Sequence, residues 1–319
     1  MKIHYIEHKD INKEKWDYCI ETACNGRIYA MSWYLDTADE CWDALIVGDY
    51  EIVFPLTYRK IFGFRFLCQP IFCQQLGIFA QTDLSHEIIM AFLKSIPKKF
   101  LFGKLHLNSG NKIQSIKQFP IEHRVNIELD IRPSIKEVRE KYIRNNKRNI
   151  NKAKKSSVYI RKGVDFERII QTYKLNLGDS RFNVHSSLYK TVNKVFTILK
   201  ENGNLAIYDA YIDDIFVAGI VLSSFQNKTI SLFLGCNKEG YQISAGHFLF
   251  DYAIENASQT KEIFDFEGSN TESVAFVFHG FGGKTVPYPI VTISNVPKFI
   301  VKVFTLLRNL KRKLSNKKA

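Results

Sequence analysis

Residues 203–236, GNLAIYDAYIDDIFVAGIVLSSFQNKTISLFLGC, restrict the fold of this chain more than any other stretch. It is rich in Ile, Val, Leu, Phe and Tyr, the residues of strands. Turn residues at Asp213-Asp214 and Asn227-Lys228 divide it into three strands. Connections this short force each strand to run antiparallel to the one before. After it, SAGHFLFDYAIENA has helical spacing, IFDFEG reads as a strand, ESVAFVFHGF as a short helix and PYPIVTI as a last strand. Before it, SIKEVREKYIRNNKRNINKAKKS predicts one long, highly charged helix and VYIRKG a strand, with helices around Phe166–Leu175 and Leu188–Leu199. This order is mixed α/β with a mostly antiparallel sheet, not a doubly wound parallel one.

The first half mixes elements in a similar style. KIHYIEH alternates as a strand, and INKEKWDYCIETA has helical spacing through Trp16, Cys19, Ile20 and Ala23. WDALIVG and EIVFPLTYRK form a hairpin joined at Gly48-Asp49. FRFLCQPIFCQQLGIFA is strand, break, strand, and SHEIIMAFLKSI is a helix with Ser85 as N-cap. KLHLN and RVNIELD are further strands. The QPIFCQQLG turn sets Gln69, Gln74 and Gln75 beside Gly77, either as a cleft lining or as a sheet corner. A chain of 319 residues has room for two domains, and the expected division is 1–132, 133–296 and a C-terminal helix over 297–319.

Net charge is +13, which favours polyanionic partners. Much of the excess lies in the charged helix, where Lys141, Arg144, Lys147 and Arg148 are candidate anion-binding residues and a solvated face is the other reading. The first residues, MKIHYIEHKDINKEKW, lack a signal peptide's apolar core, and no apolar run reaches the roughly 18 residues of a membrane span, so a cytoplasmic protein is expected. Six cysteines form no CxxC and no finger spacing with His, and the histidines form no HExxH; reduced thiols and no metal are expected. The closing helix, Pro297 to Leu314, carries an apolar stripe ringed by cations. Such a helix either docks at the inner leaflet of an anionic membrane or packs on the body.

FDFEGSNTESVAFVFHGFGG, residues 264–283, holds the candidate chemistry. Asp265 and Glu267 are two apart on a predicted strand and so share one face. A carboxylate there can take a proton from an amine or orient an ammonium; it can equally cap the next helix or pair with an arginine. Ser244, Ala245 and Gly246 open the preceding helix, with Ser244 as its expected N-cap. The free N–H groups of such a start can hold a phosphate, or they can be a plain helix start.

The element order resembles the GNAT acyltransferase fold. KYIRNNKRNINKAKKSSVYIRKG resembles the basic helix and strand that open the second domain of FemAB-like proteins, the tandem-GNAT peptidoglycan aminoacyltransferases and their relatives. FDFEGSNTESVAFVFHGFGGKTVPYPI resembles their C-terminal signature of strand, Asp, Gly, helix, Phe-Gly and a Tyr on the final strand, here Tyr288. PIFCQQLGIF is similar to a first-domain segment of GNAT-like relatives. The chain departs from the pattern in lacking paired heptads for a helical arm. It also carries Phe276, Val277, Phe278 and His279 where many relatives have a Lys or Tyr. The resemblance implies two GNAT-like domains, the first degenerate, with Ser244–Gly246 at the cofactor loop and Tyr288 joining the substrate-binding set. It implies transfer of an acyl or aminoacyl group, from acyl-CoA or aminoacyl-tRNA, to an amine of a cell-wall precursor. The competing expectation is a non-catalytic anion-binding protein on a GNAT scaffold.

Overall fold

The computed structural model describes residues 1–38, 41–115, 117–178, 186–268 and 271–297. The closing helix expected over 297–319 lies, apart from Pro297, outside the described residues. The chain divides into two compact units, and each draws on more than one stretch of sequence. Met1–Asn25, Asp39–His123 and the chain from Pro289 form the first; Gly26–Ala38 and Arg124–Tyr288 form the second. The sequence suggests one cut near Pro133; the fold instead sends a short early segment into the second unit.

In the first unit β1 (Ile3–Ile6), β2 (Trp42–Val47), β3 (Ile52–Ile61) and β4 (Phe64–Leu67) are successive antiparallel neighbours. β5 (Phe79–Ala80) pairs with β3, and β6 (Phe100–His106) runs parallel to β4. Ile290–Ser294 of the chain's last strand close this set against β6. α1 (Lys13–Thr22) starts at Asn12, whose side chain accepts from the Lys15 N–H, and it buries Trp16 against Trp42. α3 (His86–Lys94) is capped by Ser85, as the sequence predicts; α2 (Ser32–Ala38) belongs to the second unit. Gln69 and Gln75 serve the corner reading. Gln69 donates to the Cys73 carbonyl at 2.6 Å, and buried Gln75 accepts from the Ser109 N–H at 3.0 Å.

Besides Gly26–Ala38, the second unit takes in most of β7 (Ile121–Asp130) and continues through α4 (Ile135–Glu140), α5 (Arg144–Lys155), β8 (Tyr159–Lys162), α6 (Phe166–Tyr173) and α7 (Ser186–Glu201). The predicted meander comes next as β9 (Leu205–Ile212), β10 (Ile215–Phe225) and β11 (Lys228–Cys236). α8 (Lys238–Gln242), α9 (Ala245–Ala257), β12 (Ile263–Asp265), α10 (Glu272–Gly280) and β13 (Lys284–Ser294), the last strand, complete it. Strand order is β7-β12-β11-β10-β9-β8, antiparallel except for β11 with β12. The mixed α/β class and the antiparallel character of the sheet are as the sequence predicts.

Three local expectations are corrected. The long charged helix is two helices. Ser134 and Glu137 form a reciprocal capping box that starts α4, but the helix stops so that Tyr142 can bury edge-on against Phe281, 5.0 Å between ring centres. The Ile143 N–H then donates to the Gly280 carbonyl at 2.9 Å, a bond that a continuous helix would spend internally. Ser244 does not cap α9 with its side chain: its backbone is left-handed (φ 64°), and its hydroxyl donates to Asn149 Oδ1 at 3.4 Å. Strand β12 ends at Asp265, so Glu267 is not on a strand and does not owe its direction to the pleat.

Most of the aromatic residues of 264–283 go inward, although Phe276 stays exposed. Phe264, Phe266, Phe278 and Phe281 are buried with Phe250 of α9, and Phe266 stacks on Phe278 at 4.7 Å. The glycines let α10 and the loop after it approach closely. A Cβ on Gly280 would lie 2.7 Å from Asn146 Oδ1 on α5, so only glycine fits there.

Candidate active site

β11 and β12 stay paired for only three residues: Lys228 with Ile263, Thr229 with Phe264 and Ile230 with Asp265. Beyond that point β12 stops while β11 continues to Cys236, and a shift in register against β10 at Val221/Leu222 marks a bulge on the way. Beyond Ile230, then, β11 has no partner in β12. The chain leaving β12 turns at once: Glu267 has φ 58° and Gly268 φ 60°. Glycine is obligatory at 268, where a Cβ would sit 2.4 Å from the Val125 carbonyl oxygen. Glu267 has no such excuse. A glutamate held left-handed is backbone strain of roughly 1–2 kcal/mol, which the surroundings must overcome.

They do so through Asp265. That side chain is buried, and both of its oxygens are used: Oδ1 accepts the Glu267 N–H at 2.8 Å, and Oδ2 accepts Asn126 Nδ2 at 3.0 Å. Asn126 also reaches Glu128 Oε1 at 3.2 Å, and Lys228 binds the same oxygen at 2.8 Å. Burial raises the Asp265 carboxyl above its usual range, and the charge of Glu128 adds to this. The Lys228 ammonium, the Glu267 N–H and Asn126 pull the other way.

Glu267 is the more exposed of the two as a residue, yet its carboxyl is enclosed by protein. The Tyr29 hydroxyl donates to its Oε1. Burial pushes the Glu267 carboxyl up to about 8; the Tyr29 bond offsets part of this, and the Asp265 charge adds to it. Tyr29 is itself buried, so its phenol stays protonated far above neutrality and remains a donor. It is held edge-on against Tyr34 of α2, 5.7 Å between ring centres, and α2 packs on α7. Tyr288 is buried nearby; burial raises its phenol, opposed by the charge and hydrogen bond of Arg124. It therefore belongs with the acids and Arg124, and not with the basic helix with which the sequence groups it.

The other candidates fall in two places. Lys141, Arg144, Lys147 and Arg148 are all exposed on and just before α5. Lys147 donates to the Glu140 carbonyl and Arg148 to Asn145 Oδ1, both at 3.0 Å. At the start of α9, Ala245 is fully buried, and Gly246 faces Leu234 and Cys236, with its N–H directed to the Cys236 thiol. Asn149 ties this corner to α5, since it meets both Ser244 and His247. Phe250 then carries α9 onto Phe264 and Phe266, which flank Asp265. Sequence reasoning does not find Tyr29, Asn126, Glu128 or Lys228. Tyr29 is separated from Glu267 by 238 positions, and no local pattern links them. Among the described residues no group of His, Cys, Asp or Glu could hold a metal ion, and no helix is long and apolar enough to cross a membrane.

Comparison with known proteins agrees with this architecture. Residues 138–272 match the acetyltransferase (GNAT) domain family, a span from α4 to the start of α10 that contains the meander, α9 and both acids. The crystal structure of FemX is similar over 94% of this chain and 99% of its own, with TM-score 0.68 and 13% identity. A tandem GNAT protein from the clavulanic acid biosynthesis pathway is similar over 93% and 99%, with TM-score 0.54 and 10% identity. The C-terminal domain of a putative lysylphosphatidylglycerol synthetase from Agrobacterium fabrum is similar over 92% and 94%, with TM-score 0.55 and 7% identity. No curated protein matches by sequence. Residues 138–272 thus match the acetyltransferase (GNAT) domain family, and the chain as a whole shares its fold with FemX and with the tandem GNAT protein.

Proposed function

We propose that the chain transfers an acyl or aminoacyl group from a phosphorylated carrier to an amine, and that Glu267 takes the amine's proton. The observation that carries this reading is a carboxyl raised to about 8, set where β11 and β12 part. A base must be partly deprotonated at the working pH and still hold a proton well, and a value near neutrality serves both needs. In the reaction the amine nitrogen attacks the acyl carbon, and its N–H proton passes to Glu267. The carbon–sulfur or carbon–oxygen bond to the carrier breaks, and the departing thiolate or alkoxide is protonated in turn. Tyr29 donates to Oε1 and so fixes the direction of the carboxyl. Asp265 is fully engaged by Asn126 and the Glu267 N–H, so its part is to hold the left-handed turn and not to meet substrate. Burial of all three groups supports general base chemistry over plain anion binding, because an anion site has no use for an enclosed acid.

The donor is acyl-CoA or aminoacyl-tRNA. The exposed cations of α5 beside the Ser244–Gly246 corner favour a phosphorylated carrier, and the FemAB resemblance favours a cell-wall amine as acceptor. A relative named as a lysylphosphatidylglycerol synthetase favours an aminoacyl group over acetyl. A transfer assay with labelled acetyl-CoA and labelled aminoacyl-tRNA, each with peptidoglycan-precursor peptides, separates the donors. Activity with neither donor and any amine would overturn the reading. D265N and E267Q then rank the acids. Both should lower turnover, but only E267Q should remove the rise of rate with pH that a base of this strength imposes.

A further inference from the structure

The tip of the β3–β4 hairpin, far along the sequence from the acids, exposes apolar surface that the first unit has no use for. β3 ends at Ile61, β4 begins at Phe64, and these two residues are paired across the turn. The loop is therefore two residues, Phe62 and Gly63, with φ 51° and 80°. This is the geometry that favours Asn-Gly, because both central residues are left-handed. A bulky aromatic in that conformation is strained, and Phe62 recovers nothing by packing, being 81% exposed. Phe64 beside it is 49% exposed. A Cβ on Gly63 would meet nothing within 4 Å, so the tip stands in open space. It also projects past the neighbouring strand, since β6 begins at Phe100 opposite Arg65.

The surroundings of the tip are basic. Arg59 and Lys60 are exposed on the β3 arm, and Lys98 and Lys99 precede β6 at the same end of the sheet. The acids near it are already engaged, Asp43 by Arg65 at 2.6 Å and Glu7 by Lys99 at 3.3 Å. The last described residues of the chain lie at this end too. The Asn295 N–H donates to the Leu101 carbonyl, and its side chain to the Phe100 carbonyl at 2.8 Å. Residues 298–319, which continue the chain from there, contain no Asp or Glu and are rich in Lys and Arg. Exposed aromatics that can enter an interface, flanked by the exposed cations Arg59, Lys60 and Lys98, match an anionic bilayer in both hydrophobicity and charge.

We infer that the Phe62-Gly63 tip is a membrane-docking element that inserts Phe62 and Phe64 at the headgroup level of an anionic lipid surface. This inference does not depend on the catalytic reading. The full-length protein should sediment with phosphatidylglycerol-containing vesicles and not with pure phosphatidylcholine vesicles. Replacing both aromatics (F62N with F64S) should lower partitioning about tenfold, and removing Arg59 and Lys60 should lower it about fivefold per cation. F62N alone restores the preferred turn pair. It should therefore raise the melting temperature by about 2 °C while weakening vesicle binding, a pairing that loss of fold cannot mimic. To localise the contact, F62W adds a reporter at the tip. Its extra emission, read as the difference from the wild type (Trp16 and Trp42 buried, Trp33 of α2 half-buried), should shift to the blue and be quenched by brominated lipid. Vesicle-bound F62W with unaltered emission would overturn the proposal. So would a tip variant that abolishes self-association while leaving vesicle binding intact.

Discussion

Glu267 and Arg144 lie in charge-rich stretches of similar prominence in the sequence, and the fold treats them in opposite ways. Arg144, Lys147 and Arg148 of α5 stay exposed to water. The acids after β12 are enclosed, and enclosure changes their chemistry. The Glu267 carboxyl is pushed up to about 8, and Asp265 is raised in the same direction. One region offers long-range attraction that salt screens. The other offers an enclosed carboxyl whose hold on its proton the surrounding protein has raised. The difference shows that charge density alone says little about a site; partners and burial decide what a charge can do.

The largest expected effect lies on the enclosed side. E267Q keeps the Tyr29 hydrogen bond, because the amide oxygen still accepts it, but it can no longer take a proton. Loss of a general base is worth about 10²–10⁴ in rate, and kcat/KM for transfer should fall by that much with the fold intact by circular dichroism. Next in size is the ion pair that anchors the basic segment to the body. Arg139 binds Asp251 through Nε at 2.8 Å and also reaches Glu255, and Asp251 is almost wholly buried. Breaking a fully buried pair costs about 3–5 kcal/mol; Arg139 is one-third exposed, so R139A should cost nearer ~2 kcal/mol in a urea titration. Arg139 is thus a structural cation within a stretch whose exposed cations at 144 and 148 are open to a partner.

Stability against pH sharpens the contrast further. Glu267 holds its proton more tightly folded than unfolded, with a folded value of about 8 against an ordinary 4.5. Its contribution is fully present below about pH 4.5 and is lost as pH rises toward 8, because the unfolded chain has then released a proton that the folded chain still binds. E267Q should flatten this decline and be more stable than wild type above pH 8, measured as melting temperature across the range. On the exposed side the effects are small. R144A with R148A should change stability by under about 0.5 kcal/mol. If the donor is tRNA, the pair should lower the salt dependence of binding by about one unit of slope per lost phosphate contact. An unchanged slope in an equilibrium titration would leave α5 as a solvated face.

Much of this fold is legible in the sequence because its signals are local. The short turns of the meander, the Ser85 helix start and the alternation in β1 each depend on residues a few positions apart. The failures are equally specific. A continuous helix through Lys141–Ile143 satisfies local charge and spacing, but burial of Tyr142 against Phe281, far along the chain, outweighs it. Ser244 has the right chemistry for a cap, yet the approach of α5 through Asn149 accompanies a left-handed backbone there. The acids themselves are visible in FDFEG. Their ranking is not, because it depends on Asn126 filling one oxygen of Asp265 and on Tyr29 reaching Glu267 from an early segment that joins the second unit.

The central claim is that Glu267 is the proton acceptor and that Tyr29 tunes it. The most direct test is the pH dependence of single-turnover transfer with whichever donor supports it, for wild type, E267Q and Y29F. Wild-type rates should rise with pH and level off near pH 8, as the carboxyl loses its proton. E267Q should be slow and lack that limb. Y29F removes a hydrogen bond that lowers the carboxyl, so its limb should move to higher pH. An E267Q enzyme that keeps the wild-type limb would contradict the account, as would a Y29F limb that moves to lower pH.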